Sequence, residues 1–147
     1  MKTTQSSLYQ LIDGCKAEEL PANKAYKSAI LCPFPNRVNG GKYEIDGTTY
    51  QLPINETERG HALHGLAHNQ SFEVVETVAN RREACLTLAL RYDKQSDGYP
   101  FSFELKATYR LNRGGINLSL DVVNNGNDTM PLGLGWHPYL KLKTSIN

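Results

Sequence analysis

The sequence predicts an all-β protein whose antiparallel strands form a sandwich or a barrel. Apolar residues alternate with polar ones at a period of two, as they do in strands with one buried face. Glycine, aspartate and asparagine, which favour tight turns, separate these runs about every eight to twelve residues. The 147 residues are 39% apolar and 21% charged, which suits one domain with its own core. We therefore predict a single domain over residues 1–147.

Three hairpins follow one another in the predicted sheet. The runs KYEI and TTYQL flank Asp46-Gly47, a pair typical of two-residue turns. SFEVVETV leads through residues 80–82 into ACLTLALRY, and FSFELKATYRL meets INLSLDVV across NRGG. We expect antiparallel hairpins at residues 42–52 and 101–123, with AEELPANKAYKSAI helical or loop-like. One face of the third hairpin carries Phe101, Phe103, Leu105 and Ala107, followed by Ile116, Leu118, Leu120 and Val122.

Charge and composition exclude several classes of partner. The net charge is +1, so nothing indicates attraction to nucleic acid or to an anionic membrane. No apolar run approaches the roughly 20 residues that span a bilayer, and the N-terminal segment has no secretory leader pattern. The three cysteines are odd in number and lack CxxC spacing, which favours reduced thiols over disulfides or a zinc site. We expect a cytoplasmic protein.

The segment PFPNRVNGG holds an asparagine and an arginine in a restrained stretch of backbone. Two prolines restrict the chain before Asn36 and Arg37, and Gly40-Gly41 relaxes it afterwards. An Asn-Arg pair held in this way offers several oriented N–H donors, which suits a polyhydroxyl ligand. The alternative is that Arg37 caps a turn or forms an ion pair at the surface.

A second segment, ERGHALHGLAHNQS, contains the histidines His61, His64 and His68. Spaced three and four apart, they could share one helical face and bind a metal. However, Gly60 and Gly65 bracket them, no helical periodicity flanks them, and no acidic residue or cysteine completes an obvious ligand set. We therefore expect no metal here and surface positions for His61 and His68. The leucine and glycine beside His64 indicate a half-buried strand end, from which an imidazole can point into a cleft.

The third segment, MPLGLGWHPYLKL, places His137 between the single tryptophan, Trp136, and a proline. Gly133 and Gly135 leave little bulk on one face of a predicted strand over residues 133–136, so that a ligand could approach the backbone. Trp136 and Tyr139 offer aromatic surfaces of the kind that pack on sugar rings. Histidine is the residue type whose unperturbed side chain titrates near neutrality, as a general acid should, which makes His137 a candidate for that role. The alternative is a core histidine bonded to a backbone carbonyl.

Taken in order, the three segments resemble the aldose 1-epimerase (galactose mutarotase) family. The stretch NRVNGGKYEIDGTTYQLPIN is similar to the family's Asn-Arg segment, in which a hairpin with Asp-Gly runs into Leu-Pro-x-Asn. ALHG resembles its Leu-His-Gly motif, and GWHPYLKL resembles its His-x-Tyr motif. The similarity is strongest over residues 26–142, and three motifs in the right order and spacing are specific.

The resemblance implies a β-sandwich isomerase of the galactose mutarotase-like type. It would interconvert α and β anomers of free hexoses such as glucose and galactose, without a cofactor or a metal. The histidine of His-x-Tyr, here His137, would be the general acid at the ring oxygen, and His64 would hold and polarise the same region. The residues expected to bind the sugar or line its cleft are Asn36, Arg37, Trp136 and Tyr139.

The resemblance also has departures. Leu66 stands where many family members have a second glycine. The family's general-base glutamate and a sugar-binding aspartate lie in a C-terminal half without a counterpart here, so we expect a truncated epimerase. If this chain is nevertheless active, Glu56 or Glu58 are the nearest candidate bases. One alternative is a carbohydrate-binding fragment that catalyses nothing, and another is a remnant that forms a homo-oligomer through open sheet edges. The lack of a basic cluster beyond Arg37 favours free sugars over sugar phosphates.

Overall fold

The computed structural model describes residues 11–23 and 25–141. The chain divides into two compact units, one made of Met1–Ile30 with Trp136–Asn147 and one of Leu31–Gly135, and each is described by itself. The prediction of a single domain stays a prediction. No helix among the described residues is both long and apolar enough to cross a membrane. The described elements are a 3₁₀-helix (Ala17–Ala22), β1 (Ile30–Leu31), β2 (Arg37–Val38), a 3₁₀-helix (Asn39–Gly41), β3 (Lys42–Ile45), β4 (Thr48–Gln51), β5 (Ala62–Leu63), β6 (Glu73–Ala79), β7 (Glu83–Asp93), β8 (Ser102–Asn112), β9 (Gly115–Asn124) and β10 (Gly135–Trp136).

The larger unit is built around an antiparallel sheet with the strand order β6-β7-β8-β9. Its core follows from the period-two pattern, because alternate residues of β8 point to one face. Phe103, Leu105 and Ala107 on that face are completely buried. Tyr92, opposite Phe103 on β7, stacks on its ring with centroids 5.1 Å apart. The predicted alternation on β8 is therefore confirmed.

All three predicted hairpins are present, and their turns follow from the local sequence. Asp46 and Gly47 both have a left-handed φ, 49° and 77°, which is the backbone that a tight two-residue turn between antiparallel strands requires. The β6–β7 turn is held by Asn80, whose side-chain oxygen accepts hydrogen bonds from two backbone N–H groups of residues 82 and 83. Asn112 pairs with Gly115 to close the β8–β9 turn. In the expected helical or loop-like segment, a short 3₁₀-helix is formed by Ala17–Ala22.

The four-stranded sheet is covered unevenly. On β9 the predicted apolar face is only half-buried, and Ile116 is 37% exposed. Every residue of β6 is exposed, including Val74 and Val75. The tightly packed part lies near Phe103, where rings from the β7–β8 connection such as Tyr99 pack edge-on. The expected self-association through sheet edges stays a prediction.

Candidate functional site

A short antiparallel pair, β2 with β5, places the Asn-Arg segment beside the Leu-His-Gly motif. Arg37 pairs with Leu63 in this ladder. One residue beyond the ladder, the backbone N–H of His64 donates to the carbonyl oxygen of Asn36 at 3.0 Å. The backbone N–H of Asn36 donates in return to Nδ1 of His64 at 3.2 Å. Two motifs that are 28 residues apart in sequence therefore form one structural cluster.

The backbone at both residues of this contact is left-handed, with φ of 62° at Asn36 and 63° at His64. Residues with an L side chain rarely adopt this backbone conformation, and the two reciprocal hydrogen bonds between Asn36 and His64 stabilise it here. Because Nδ1 of His64 accepts a hydrogen bond, the neutral ring carries its proton on Nε2. His64 is half-buried directly after β5, as the sequence predicts.

Gly65 fixes the path of the chain after His64. Its φ is 75°, and a Cβ on this residue would lie 2.3 Å from the carbonyl oxygen of Cys32. The same oxygen accepts hydrogen bonds from the N–H groups of Leu66 and Ala67, at 2.7 and 3.0 Å. Only glycine allows the backbone to pass this close to Cys32. The leucine that stands in place of a second glycine, Leu66, is accommodated at a half-buried position.

Arg37 is held by the carboxylate of Glu56, a residue that the sequence indicates only as a candidate base. Its Nε donates to Oε2 of Glu56 and its Nη2 to Oε1, both at 2.6 Å. Its Nη1 lies 3.4 Å from the side-chain oxygen of Asn36. Arg37 therefore forms an ion pair, which is one of the alternatives that the sequence leaves open for it. The pair lies beside Asn36, and the Glu56 side chain is only 18% exposed.

The ion pair stabilises the ionised form of Glu56. Hydrogen bonds from Arg37 hold the pKa of the Glu56 carboxyl below its usual range, with smaller contributions from Arg59 and His61. In return, Glu56 raises the pKa of the Arg37 guanidinium. A carboxylate with a lowered pKa is a weak proton acceptor at neutral pH. Glu56 is therefore poorly suited to act as a general base.

Hydrogen bonds that the sequence does not predict hold Asn55 and Glu56 in position. The side chain of Asn55 accepts from the N–H of Leu63 at 2.7 Å and donates to its carbonyl oxygen at 2.9 Å. Glu56 and His61 exchange backbone hydrogen bonds across the loop between them. The only signal in the sequence was the asparagine of the Leu-Pro-x-Asn stretch, which precedes Glu56.

The three histidines of the second segment play different structural roles. Nδ1 of His61 accepts a hydrogen bond from the N–H of Gly40 at 3.3 Å. Burial lowers the pKa of His68. The expectation of surface positions is therefore wrong, since both His61 and His68 are half-buried. Within the described part of the chain, no three His, Cys, Asp or Glu residues are grouped to hold a metal ion.

His137 lies in the smaller unit. Its ring stacks on Tyr139 with centroids 5.5 Å apart and an interplanar angle of 24°. Its backbone N–H donates to the carbonyl oxygen of Ala29, and its own carbonyl accepts from the N–H of Ser28. His137 and Trp136 are half-buried, whereas Tyr139 is 38% exposed. The convergence of His137 with His64 and Arg37 stays a prediction, as do the catalytic and binding roles of all six predicted site residues.

The glycines before Trp136 pack closely against Pro35. Gly133 donates its N–H to the carbonyl oxygen of Pro33 at 2.5 Å, and a Cβ on it would lie 2.9 Å from the Pro35 side chain. A Cβ on Gly135 would lie 3.2 Å from the same proline. Pro35 therefore occupies the space in which a side chain on either glycine would lie, and the approach of a ligand to this backbone stays a prediction. The predicted strand over residues 133–136 is correspondingly reduced to Gly135–Trp136.

Comparison with solved structures defines the class of protein. The chain superposes on a galactose mutarotase-like protein from Clostridium acetobutylicum with a TM-score of 0.76 and 25% identity, covering 86% of this chain and 38% of that one. Galactose 1-epimerase from Lactobacillus acidophilus gives a TM-score of 0.74 at 18% identity, a level that shows the fold alone, over 90% of this chain and 40% of that one. The chain therefore has a galactose mutarotase-like β fold, as predicted.

The sequence comparisons identify the family. Residues 2–147 match the family model described as aldose 1-epimerase, so the chain belongs to the aldose 1-epimerase family, as predicted. The uncharacterized protein YihR of Escherichia coli is 37% identical over 126 residues, which are 85% of this chain and 39% of YihR. The aldose 1-epimerase of Haemophilus influenzae is 22% identical over 95% of this chain and 39% of that protein. The chain spans about two fifths of the length of these relatives.

Proposed function

We propose that this chain binds a free hexose at the Asn36–Arg37–His64 cluster and, as an aldose 1-epimerase, interconverts the α and β anomers of that sugar. The observation that carries the proposal is the direct hydrogen bonding between Asn36 and His64, beside a guanidinium fixed by Glu56. Family membership supports it, because the three residues lie in the segments that resemble the family's motifs.

The proposed roles follow from what anomer interconversion requires. The ring opens when the anomeric hydroxyl gives its proton to an acceptor, here solvent water, and the ring oxygen receives another from a general acid. Rotation about the first carbon–carbon bond and the reverse transfers then close the ring on the other face. Arg37 and Asn36 would bind sugar hydroxyls through N–H donors. His64 would donate from Nε2, since Nδ1 is engaged by the backbone of Asn36. His137 would be the general acid.

A second candidate function is sugar binding without catalysis. It is favoured by the state of Glu56, the carboxylate beside Arg37. This carboxylate is committed to two hydrogen bonds, and its pKa is lowered, so it would not accept the proton of the anomeric hydroxyl readily. Acid and base contribute about 10²–10⁴-fold each, so a site without a base would bind the sugar and accelerate its opening little.

Polarimetry on freshly dissolved α-glucose tests the proposal. We expect the optical rotation to relax faster than in buffer, in proportion to the concentration of the chain. In that case His137→Gln should lower the added rate by about 10²–10⁴ while leaving glucose binding in place. Binding that is detected by calorimetry without any added rate would select the second candidate. A chain that neither binds glucose nor accelerates its mutarotation would contradict both.

A further inference from the structure

The guanidinium of Arg37 is engaged along one particular edge. Glu56 takes Nε–H and one N–H of Nη2, which together form the side edge of the group. The end edge, formed by one N–H each of Nη1 and Nη2, faces away from Glu56 because the guanidinium is planar and rigid. Two parallel donors on this edge can reach two neighbouring hydroxyl oxygens of a sugar ring. Nη1 also lies 3.4 Å from the side-chain oxygen of Asn36, but the two 2.6 Å hydrogen bonds to Glu56 are the shorter ones and dominate the orientation of Arg37.

Glu56 is itself fixed by the loop that carries it. Its carbonyl oxygen accepts from the N–H groups of Arg59 and Gly60, at 3.2 and 2.9 Å, and its N–H donates to the carbonyl oxygen of His61 at 3.1 Å. The preceding residue, Asn55, is bonded at both ends of its amide to the backbone of Leu63. The carboxylate is thus anchored to the same strand, β5, that leads into His64.

The pair also changes the charge that a ligand meets. Two direct charge-assisted hydrogen bonds place the negative charge of Glu56 against the positive charge of Arg37. Arg59 approaches the same carboxylate at 3.5 Å, but its side chain is 63% exposed, so solvent screens its charge. A neutral polyol can accept hydrogen bonds from Arg37 in this state. An anionic ligand gains less from a guanidinium whose charge is already countered.

We propose that Glu56 is a positioning and specificity-determining residue, which turns the end edge of Arg37 toward the ligand and selects uncharged sugars over anionic ones. The inference rests on the proposed binding of a hexose at this cluster. It assigns Glu56 a role other than that of a base, and it gives a structural reason for a preference for free sugars over sugar acids or phosphates.

The test compares Glu56→Gln with Glu58→Gln in the full chain. Both substitutions remove one negative charge from the same loop, but Glu58 is exposed, so it is a matched control for net charge and for loop chemistry. Binding of glucose and of glucuronate is measured by calorimetry for each variant at two salt concentrations. With Glu56→Gln we expect glucose affinity to fall about tenfold, because one of the two acceptors that orient Arg37 becomes an NH2 donor and the other loses its charge. Glucuronate affinity should fall less or rise, and the rise should be larger at low salt.

The outcomes separate this inference from the proposed function. Equal changes for both sugars, or a shift in the glucose-to-glucuronate ratio that Glu58→Gln reproduces, would overturn the role of Glu56 and leave hexose binding intact. If the unsubstituted chain binds no hexose, the proposed function fails. The role of Glu56 is then judged by the NMR signal of the Arg37 Nε–H, which should exchange slowly with water in the unsubstituted chain and in Glu58→Gln, and rapidly in Glu56→Gln. Exchange that is unaffected by Glu56→Gln would overturn it.

Discussion

Replacing Gly65 by alanine should cost far more stability than the same replacement at Gly60. Both glycines have a left-handed φ, 75° at Gly65 and 68° at Gly60. A Cβ at Gly60 meets nothing within 4 Å, so Gly60→Ala should cost only the strain of a left-handed alanine, about 1 kcal/mol. A Cβ at Gly65 would lie 2.3 Å from the backbone oxygen of Cys32, which cannot rotate away. Adding overpacking to the same strain gives a loss of about 3 kcal/mol or more for Gly65→Ala.

Urea unfolding followed by circular dichroism measures both losses, provided that the slope of the transition is the same for both variants. The difference between the two variants isolates the steric clash, because the backbone strain is common to them. Gly65→Ala should also shift the NMR signals of His64 and Asn36, whose mutual hydrogen bonds depend on the path of the chain at Gly65. Equal losses for the two variants would refute the close approach to Cys32.

Two further predictions concern the core. Leu105→Ala should lower the free energy of unfolding by about 2–5 kcal/mol, because Leu105 is completely buried. Val123 is 56% exposed, so Val123→Ala should lower it by less than about 1 kcal/mol. Similar losses for the two variants in urea titrations would contradict the assigned core. Burial raises the pKa of the Cys32 thiol to about 12, so little reactive thiolate is present at pH 8. Iodoacetamide at that pH should therefore alkylate Cys15, which is half-buried, well before Cys32. Equal alkylation rates in mass spectrometry would contradict this.

The elements that the sequence predicts correctly are those set by local chemistry. The alternation of Phe103, Leu105 and Ala107 specifies which face of β8 is buried, and Asp46-Gly47 specifies a turn. These signals are local because side-chain period and turn backbone depend on a few consecutive residues. The uneven burial of β6 and β9 depends instead on what packs against the sheet, which no local pattern encodes.

Within the candidate site, the sequence predicts the residue types but not the hydrogen bonds and the ion pair that join them. The spacing of the motifs indicates Asn36, Arg37 and His64, and the structure brings these three together. The ion pair between Arg37 and Glu56 joins residues 19 apart, and its geometry depends on the backbone of the intervening loop. The bulk that Gly133 avoids is likewise supplied by Pro35, which is distant in sequence. A glycine predicted to admit a ligand therefore also has a packing role that the local sequence does not reveal.

A titration with glucose that is monitored for each backbone amide by NMR is the most direct test of the central claim, that the Asn36–Arg37–His64 cluster binds a hexose. We expect saturable shifts that are centred on the amides of these three residues. Arg37→Ala should abolish these shifts while it retains the dispersed spectrum of the folded chain. Shifts that are centred elsewhere, or that persist unchanged in Arg37→Ala, would contradict it.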